Sequence, residues 1–447
     1  MAEHKQLRRV IVRLLGGMGS PKEVQQYLKR FSDLDGLKFA VVKVGGAIIE
    51  SQLNDLASSL TFLQQVGLTP IVIHGGGPQL NRALADEGIE TVKRDGLRVT
   101  TPNVLRVARR VFQAENLRLT GALRSTGSHA ASLTGGVFEA SILDEDKYGM
   151  VGDVTGVNIE PVRAITQAGH IPVISPLAET PDGQILNING DVAANALVAA
   201  VQPFKIVFLT GTGGILDGQN RIIPSINLST DYSRLMGEDW LHSGMRLKLE
   251  QIHALLSGLP PESSVSITRP GLLARELFTH RGSGTLVRLG ENVNAASTWS
   301  ELDLPRLRDL LQKSFGKALA PDYFETTALH TAYVSDSYRA AAIICRGPDG
   351  LARLDKFAVT EAAQGEGIGG ALWRRVRAAH PGMYWRARPT NAINQFYFRH
   401  ADGFVRGADW LVFWYGVDDL SRLDDLVEHT LALPASMVEP QPEEAVL

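Results

Sequence analysis

Cysteine is nearly absent: Cys345 is the one thiol in 447 residues, which excludes an internal disulfide and any multi-cysteine metal site. Long apolar runs are lacking too. The longest, such as 39–44 and 171–177, fall far short of the roughly 20 residues that a membrane helix requires, so no membrane partner is expected. Charge of one sign is equally scarce. A formal net charge of -3 offers no basic footprint for nucleic acid, and small acidic metabolites become the expected partners. What remains is an ordinary globular composition, 44% hydrophobic and 21% charged, long enough for two or three domains at about 100–200 residues each. The cysteine usage suits a reducing compartment, with the cytoplasm as the default and the mitochondrion for a eukaryotic source. Residues 1–15 are basic and mildly amphipathic, but Glu3 and the lack of serine argue against a transit peptide.

Ser20, Pro21 and Glu23 spell an N-cap, a first helical position and a capping-box partner, which predicts a helical segment within 1–36. From residue 37, apolar runs rich in β-branched residues (39–44, 70–73, 171–175, 206–209) alternate with helical stretches such as 191–201. That alternation predicts an α/β domain over 37–290, a parallel sheet covered by helices on both faces. The small, polar stretch 291–303 reads as a linker. Beyond it, strands at 340–345 and 354–359 flank Gly347-Pro348-Asp349-Gly350, a predicted hairpin, and the glycine-rich turn 365–370 opens a helix over 371–379. A second domain is therefore expected over 304–433. Residues 434–447, with their Pro and Glu, read as a disordered tail.

Five motifs carry chemistry: KVGGA (43–47), HGGGPQLN (74–81), DGLRVT (95–100), NINGD (187–191) and GMRLK (244–248). Two hold glycine turns at strand ends, Gly45-Gly46 and Gly75-Gly76-Gly77. Ligands of open α/β sheets collect at strand C-termini, and glycine lets phosphate oxygens approach backbone N–H groups. One such turn reads equally well as tight strand-to-helix packing. Lys43 or Lys248 alone reads as a solvated lysine, and Asp191 as a helix N-terminal residue favoured by the dipole. Together they are what phosphoryl transfer needs, since that reaction rests on positioning and charge stabilisation.

In this order, over 37–289, the motifs resemble those of the amino acid kinase family and, within it, the acetylglutamate kinases. The resemblance implies ATP as donor, with Mg²⁺ arriving on the nucleotide and no protein metal cage. It implies that Lys43 and Lys248 neutralise the transferred phosphoryl group while Asp191 holds both. Gly45, Gly46, Gly75 and Gly76, with Thr210, Gly211 and Gly213, would surround the phosphates. Gly76, Arg98, Asn187 and Asn189 would bind N-acetylglutamate, the planar guanidinium of Arg98 suiting its α-carboxylate. One departure is visible: Gly211 stands where the family usually has the acidic residue of a T-D-V-x-G turn, which bears on nucleotide binding and leaves the lysines untouched.

Gln364-Gly365-Glu366-Gly367-Ile368-Gly369 follows a strand and precedes a helix, forming an anion nest suited to a pyrophosphate. A dinucleotide fingerprint fails on context, because a hairpin precedes the loop and no ribose-binding carboxylate follows at the expected spacing. The loop is similar to that of GNAT acetyltransferases. YWRAR (384–388) with NAINQFY (391–397) further resembles the catalytic domain of vertebrate-like N-acetylglutamate synthases. The implied fold is an amino acid kinase parallel-sheet sandwich followed by an α+β GNAT domain. The implied acetyl-CoA site comprises Val359, Gln364, Gly365, Gly367, Ile368, Gly369 and Gly370. Lys356, Arg386 and Arg388 would hold L-glutamate, with Asn391 near its amine and Tyr397 as general acid, although composition alone makes Tyr397 a packed aromatic.

The two resemblances together imply a homo-oligomeric synthase and kinase of arginine biosynthesis, inhibited by L-arginine. Three readings compete: a kinase with a regulatory second domain, a synthase with a sensor-only sheet domain, and a protein acetyltransferase under ligand control. A sensor has no need of Lys43, Asp191 and Lys248 together, and Arg386 and Arg388 would repel a protein lysine.

Overall fold

Apolar runs that read as unbroken become strands buried on both faces. Among the described residues an eight-stranded sheet runs in the order Ser225–Asn227, Thr285–Arg288, Ser264–Thr268, Lys205–Leu209, Ala40–Val44, Ile71–His74, Ile171–Ile174 and Ala130–Leu133. All neighbours are parallel except Ser264–Thr268 with Thr285–Arg288. The structure is a computed structural model that describes residues 36–438 apart from 242, 279–282, 361–362, 364–366 and 418. The expected helix at 20–23, together with Gln364 and Gly365, lies outside the described residues.

Alternation along each strand divides the core into two layers. Val41, Ile73, Ile206 and Phe208 face one cluster with Ala193, Ala194 and Leu197 of helix Gly190–Val201 and Leu249 and Ile252 of helix Ser243–Ser257. Val42, Val44, Val72 and Leu209 face the other, with Leu56 and Leu60 of helix Leu53–Gln65 and Leu119 and Leu123 of helix Pro102–Ser125. Lys43 lies two residues on from Val41 and shares its face, so its side chain enters the layer that contains the helices of Asp191 and Lys248. A smaller four-stranded sheet, Ile185–Asn187, Leu177–Glu179, Phe138–Ile142 and Gly152–Val157, delivers the NINGD motif to the same unit.

The chain divides between Leu289 and Gly290 into two compact units. In the second unit a seven-stranded sheet has the order Val293–Ala296, Leu329–Ser335, Ala340–Arg346, Ala352–Val359, Met383–Ala387, Leu411–Tyr415 and Gly403–Arg406. The predicted hairpin is present, with a turn at Pro348–Gly350. Helix Leu304–Phe315 starts at an Asp303 cap and ends at Gly316, where φ is +64°, a conformation glycine adopts without a Cβ penalty. Its Leu307, Leu310 and Leu311 pack on one face of the sheet, and Leu372 and Val376 of helix Ile368–Ala379 pack on the other. No described helix is long and apolar enough to cross a membrane.

Two boundaries differ from expectation. The stretch read as a linker contributes Val293–Ala296, which pairs in register with Leu329–Ser335, followed by a Thr298–Glu301 capping box; small polar residues suit an edge strand as well as a loop. Within the stretch read as a disordered tail, Met437–Val438 pairs with Ala318–Leu319. Trp385 is among the largest fully buried side chains and stacks on Phe413, 5.6 Å between centroids. Trp385→Ala should cost about 3–5 kcal/mol, and Trp385→Phe less, since a ring survives; denaturant unfolding curves check that ranking.

Candidate functional site

Parallel register places four chain reversals side by side. Val44 pairs with His74 and with Leu209, and Leu209 pairs with Thr268, so Gly45, Gly75, Thr210 and Arg269 all leave the sheet at one edge. The glycines there differ in why they are glycine. A Cβ on Gly46 would sit 2.5 Å from Gln79 Oε1, and one on Gly76 would sit 3.0 Å from the Phe112 ring, so packing demands both. Gly45 has φ of −69° and open space around a Cβ, so nothing in the fold requires glycine there. The N–H groups of Gly45, Gly46, Gly76 and Gly77 have no hydrogen-bond partner among the described residues. They are free donors at two helix N-termini, suited to anionic oxygens.

Lys43 Nζ lies 2.6 Å from Asp191 Oδ1, with side chains 19% and 53% exposed. Lys248 Nζ stands 5.8 Å over the ring of Phe208, the residue that pairs with Lys43 across the sheet. Burial and then the charge of Lys43 hold the Lys248 ammonium below the usual lysine range, while Asp191 opposes them. The three groups share one field, yet among the described residues Asp191 pairs directly with Lys43 and not with Lys248. Asn189 takes a local role, its side-chain oxygen accepting from Asp191 N at 2.7 Å and Val192 N at 3.4 Å and so capping helix Gly190–Val201. Asn187 Nδ2 donates to Thr100 Oγ1 at 3.0 Å, tying this motif to the Arg98 hairpin. Arg98 is half-buried and donates to Thr91 Oγ1 at 2.8 Å and to Asn81 Oδ1, both uncharged. No ion pair of Arg98 occurs among the described residues. At the Gly211 turn, Thr210 Oγ1 accepts from Gly213 N at 3.0 Å, and a Cβ on Gly213, at φ +78°, would sit 2.8 Å from Arg269 Cγ.

In the second unit the parallel pairing of Ala352–Val359 with Met383–Ala387 stops at Leu354–Trp385. The strands then part, and Lys356 and Arg386 flank the notch. Lys356 Nζ donates to Asp355 Oδ2 and to Ser436 Oγ, both at 2.6 Å. Arg386 donates to the carbonyls of Thr430, Leu433 and Pro434 at 2.9, 2.8 and 2.7 Å. Both cations of the notch are therefore engaged by the chain's own 430–436 segment. Arg386 and Arg388 also lie 4.1 and 4.0 Å from the Trp410 ring centroid. Tyr397, 5% exposed, packs on the opposite face against Trp385 at 5.3 Å and Phe413 at 5.6 Å. Burial pushes its phenol well above the ordinary value, and its hydroxyl has no hydrogen-bond partner among the described residues. Gly367, at φ +82°, caps the helix that begins at Ile368, and a Cβ on Gly369 would lie 3.2 Å from Val359. Asn391 Oδ1 accepts from Ile393 N at 3.2 Å and so turns the chain into helix Asn394–His400.

The amino acid kinase family matches residues 38–259, and the N-acetyltransferase of N-acetylglutamate synthase matches residues 294–432. An acetylglutamate kinase of Xanthomonas campestris is 56% identical over 416 residues, covering 92% of this chain and 98% of that one. The chain belongs to the acetylglutamate kinase family, with an N-acetyltransferase domain. The human mitochondrial N-acetylglutamate synthase is 31% identical over 430 residues, covering 94% of this chain and 77% of that one. In fold, the chain is similar to N-acetylglutamate synthase of Neisseria gonorrhoeae, solved with coenzyme A and N-acetyl-glutamate, at TM-score 0.61 and 20% identity over 88% of this chain and 97% of that chain.

Several residues that brace the candidate sites escaped the sequence reading. Asp355 accepts from Arg353 at 2.6 Å, Lys356 at 2.6 Å and Tyr323 at 2.7 Å. Burial works to raise its carboxyl pKa, but Lys356 and Arg353 outweigh that and hold it below the usual range. Asn394 donates to the carbonyls of Arg388 and Pro389 at 2.8 and 3.1 Å, fixing the loop that carries Arg388 and Asn391. Only the Asp-Lys adjacency hinted at the first, and no sequence signal marked the second. Lys248 provides a direct check on the kinase-side electrostatics. Its lowered pKa leaves more neutral amine at a given pH, so acylation of Lys248 should set in at lower pH than that of exposed Lys313. Peptide mass spectrometry across a pH series reads the two onsets, and an equal or later onset for Lys248 contradicts the field described.

Proposed function

We propose that this chain acetylates L-glutamate from acetyl-CoA and phosphorylates the γ-carboxylate of N-acetylglutamate from ATP, consecutive steps of arginine biosynthesis. The observation that carries the kinase half is the joint placement of Lys43, Asp191 and Lys248 beside four unpartnered N–H groups. Phosphoryl transfer spreads negative charge over the transferred group, and a lysine with backbone donors neutralises it without reorganisation. Lys43, braced by Asp191, and Lys248 would take the two sides of that group, and Arg98 would hold the α-carboxylate of the acceptor. A carboxylate is a stronger partner for its guanidinium than the neutral oxygens it now contacts. Mg²⁺ would arrive with the nucleotide, held by its phosphates and water rather than by a protein cage. Bound there, it would screen phosphate charge.

In the acetyltransferase half, Gly367 and the helix N-terminus at Ile368 suit a pyrophosphate, and acetyl-CoA would supply the acyl group. Lys356 and Arg386 would exchange their contacts with Ser436 and backbone carbonyls for the glutamate carboxylates. As the amine nitrogen bonds the thioester carbon and the C–S bond breaks, Tyr397 would give its proton to the departing sulfur, and the proton released by the nitrogen would return to the phenolate oxygen. A buried phenol with a raised pKa remains protonated until that moment. L-arginine as feedback inhibitor and assembly into homo-oligomers complete the proposal.

Two substitutions separate the halves. Lys248→Ala should remove ATP-dependent ADP formation with N-acetylglutamate and leave CoA release from acetyl-CoA and glutamate intact; loss of both activities contradicts independent sites. Tyr397→Phe should slow CoA release about 10²-fold or more and spare ADP formation, and an unchanged CoA release rate removes Tyr397 from the mechanism.

A further inference from the structure

His74, 0% exposed, lies at the start of the Gly75-Gly76-Gly77 turn, and its side chain has no part in the contacts above. Its ring nitrogens meet groups of different kinds: Nδ1 is 3.1 Å from the Gly75 carbonyl oxygen, and Nε2 is 3.2 Å from Ser175 Oγ. A carbonyl only accepts, so Nδ1 carries the hydrogen. Burial depresses the imidazole pKa to about 4, so the ring is neutral and Nε2 accepts the Ser175 hydroxyl hydrogen. Ser175 Oγ in turn accepts from Asn116 Nδ2 at 3.1 Å. Asn116 is itself fixed, donating to Val173 O at 2.9 Å while its backbone carbonyl accepts from Thr120 Oγ1 at 2.7 Å. Donation therefore runs one way from Asn116 through Ser175 and His74 to Gly75.

We propose that His74 is a positioning residue for phosphoryl transfer: by holding the Gly75 carbonyl inward, its Nδ1–H turns the Gly76 N–H outward toward the transferred group. The described chain has no cis peptide bond, so the C=O and N–H of the Gly75–Gly76 peptide point in opposite directions. Glycine on both sides makes a flip of that peptide inexpensive, which is why a lock is needed. Gly75 N is already committed to Val44 O at 2.9 Å, whereas Gly76 N is unpartnered among the described residues. The inference rests on the kinase reading proposed above.

Three variants and one spectrum test it. His74→Asn can place an amide donor near the Nδ1 position, His74→Gln can place one near Nε2, and His74→Leu removes both. Loss of one preorganised donor lowers kcat about 10²–10³-fold. That loss is expected for the Leu and Gln variants in ADP formation, with KM for ATP and N-acetylglutamate little changed. His74→Asn should recover about tenfold or more of it, and near-UV circular dichroism should match the parent in all three. Equal kcat in the Gln variant, the Asn variant and the parent overturns the proposal. Long-range ¹H–¹⁵N spectra of histidine-labelled full chain, with His74 assigned by the Asn variant, should show the neutral Nδ1–H tautomer at pH 7. An Nε2–H tautomer or an imidazolium overturns the lock whether or not the chain is a kinase. A parent that forms no ADP while showing the Nδ1–H tautomer sinks the kinase reading and leaves the lock standing.

Discussion

The common register of Ala40–Val44, Ile71–His74 and Lys205–Leu209 is the constraint on which the first unit depends. Because these strands are parallel and end together, the residues after them must reverse at one edge, and the turns there are rich in glycine. Because side chains alternate, Lys43 must enter the layer of helices Gly190–Val201 and Ser243–Ser257. Asp191 in the first turn of one helix, held by the Asn189 cap, then ion-pairs with Lys43, and Lys248 on the other helix lies within their field. A one-residue slip of the lysine strand would bury Lys43 among Leu56, Leu60 and Leu119 on the other face.

Much of this was legible in the sequence because the signals were local. Apolar runs with β-branched residues located the central strands to within a residue or two, and Gly347-Pro348-Asp349-Gly350 marked a hairpin turn that the structure keeps. Motif order brought together residues separated by more than 200 positions, from Lys43 to Lys248, which periodicity alone does not do. The misread stretches were those whose structure depends on a distant partner. Val293–Ala296 becomes a strand only because Leu329–Ser335 offers it an edge, and Met437–Val438 only because Ala318–Leu319 does. Composition does not encode such pairings, since small polar residues serve an edge strand or a loop alike.

The site residues divide the same way. Glycine turns announce themselves, but whether a given glycine is there for packing or for a ligand is decided by neighbours: Phe112 and Gln79 account for Gly76 and Gly46, and nothing in the fold accounts for Gly45. Supporting polar groups leave fainter traces. Asp355, Asn394 and Asn116 are single residues in unremarkable contexts, and their roles arise from hydrogen bonds to groups set by tertiary packing. In the second unit Lys356 rests against Asp355 and Ser436 and Arg386 against backbone carbonyls, contacts that keep buried charge solvated by the protein itself.

The central claim is that one chain carries two chemistries, joined by N-acetylglutamate. Its most direct measurement is to incubate the purified full chain with L-glutamate, acetyl-CoA and ATP, omit each in turn, and follow CoA release and ADP formation together. CoA release should need glutamate and acetyl-CoA but not ATP. ADP formation should need all three, and added N-acetylglutamate should restore it when glutamate and acetyl-CoA are left out. ADP formation from N-acetylglutamate with no CoA release under any condition would contradict the account, leaving a kinase whose second unit performs no acetyl transfer.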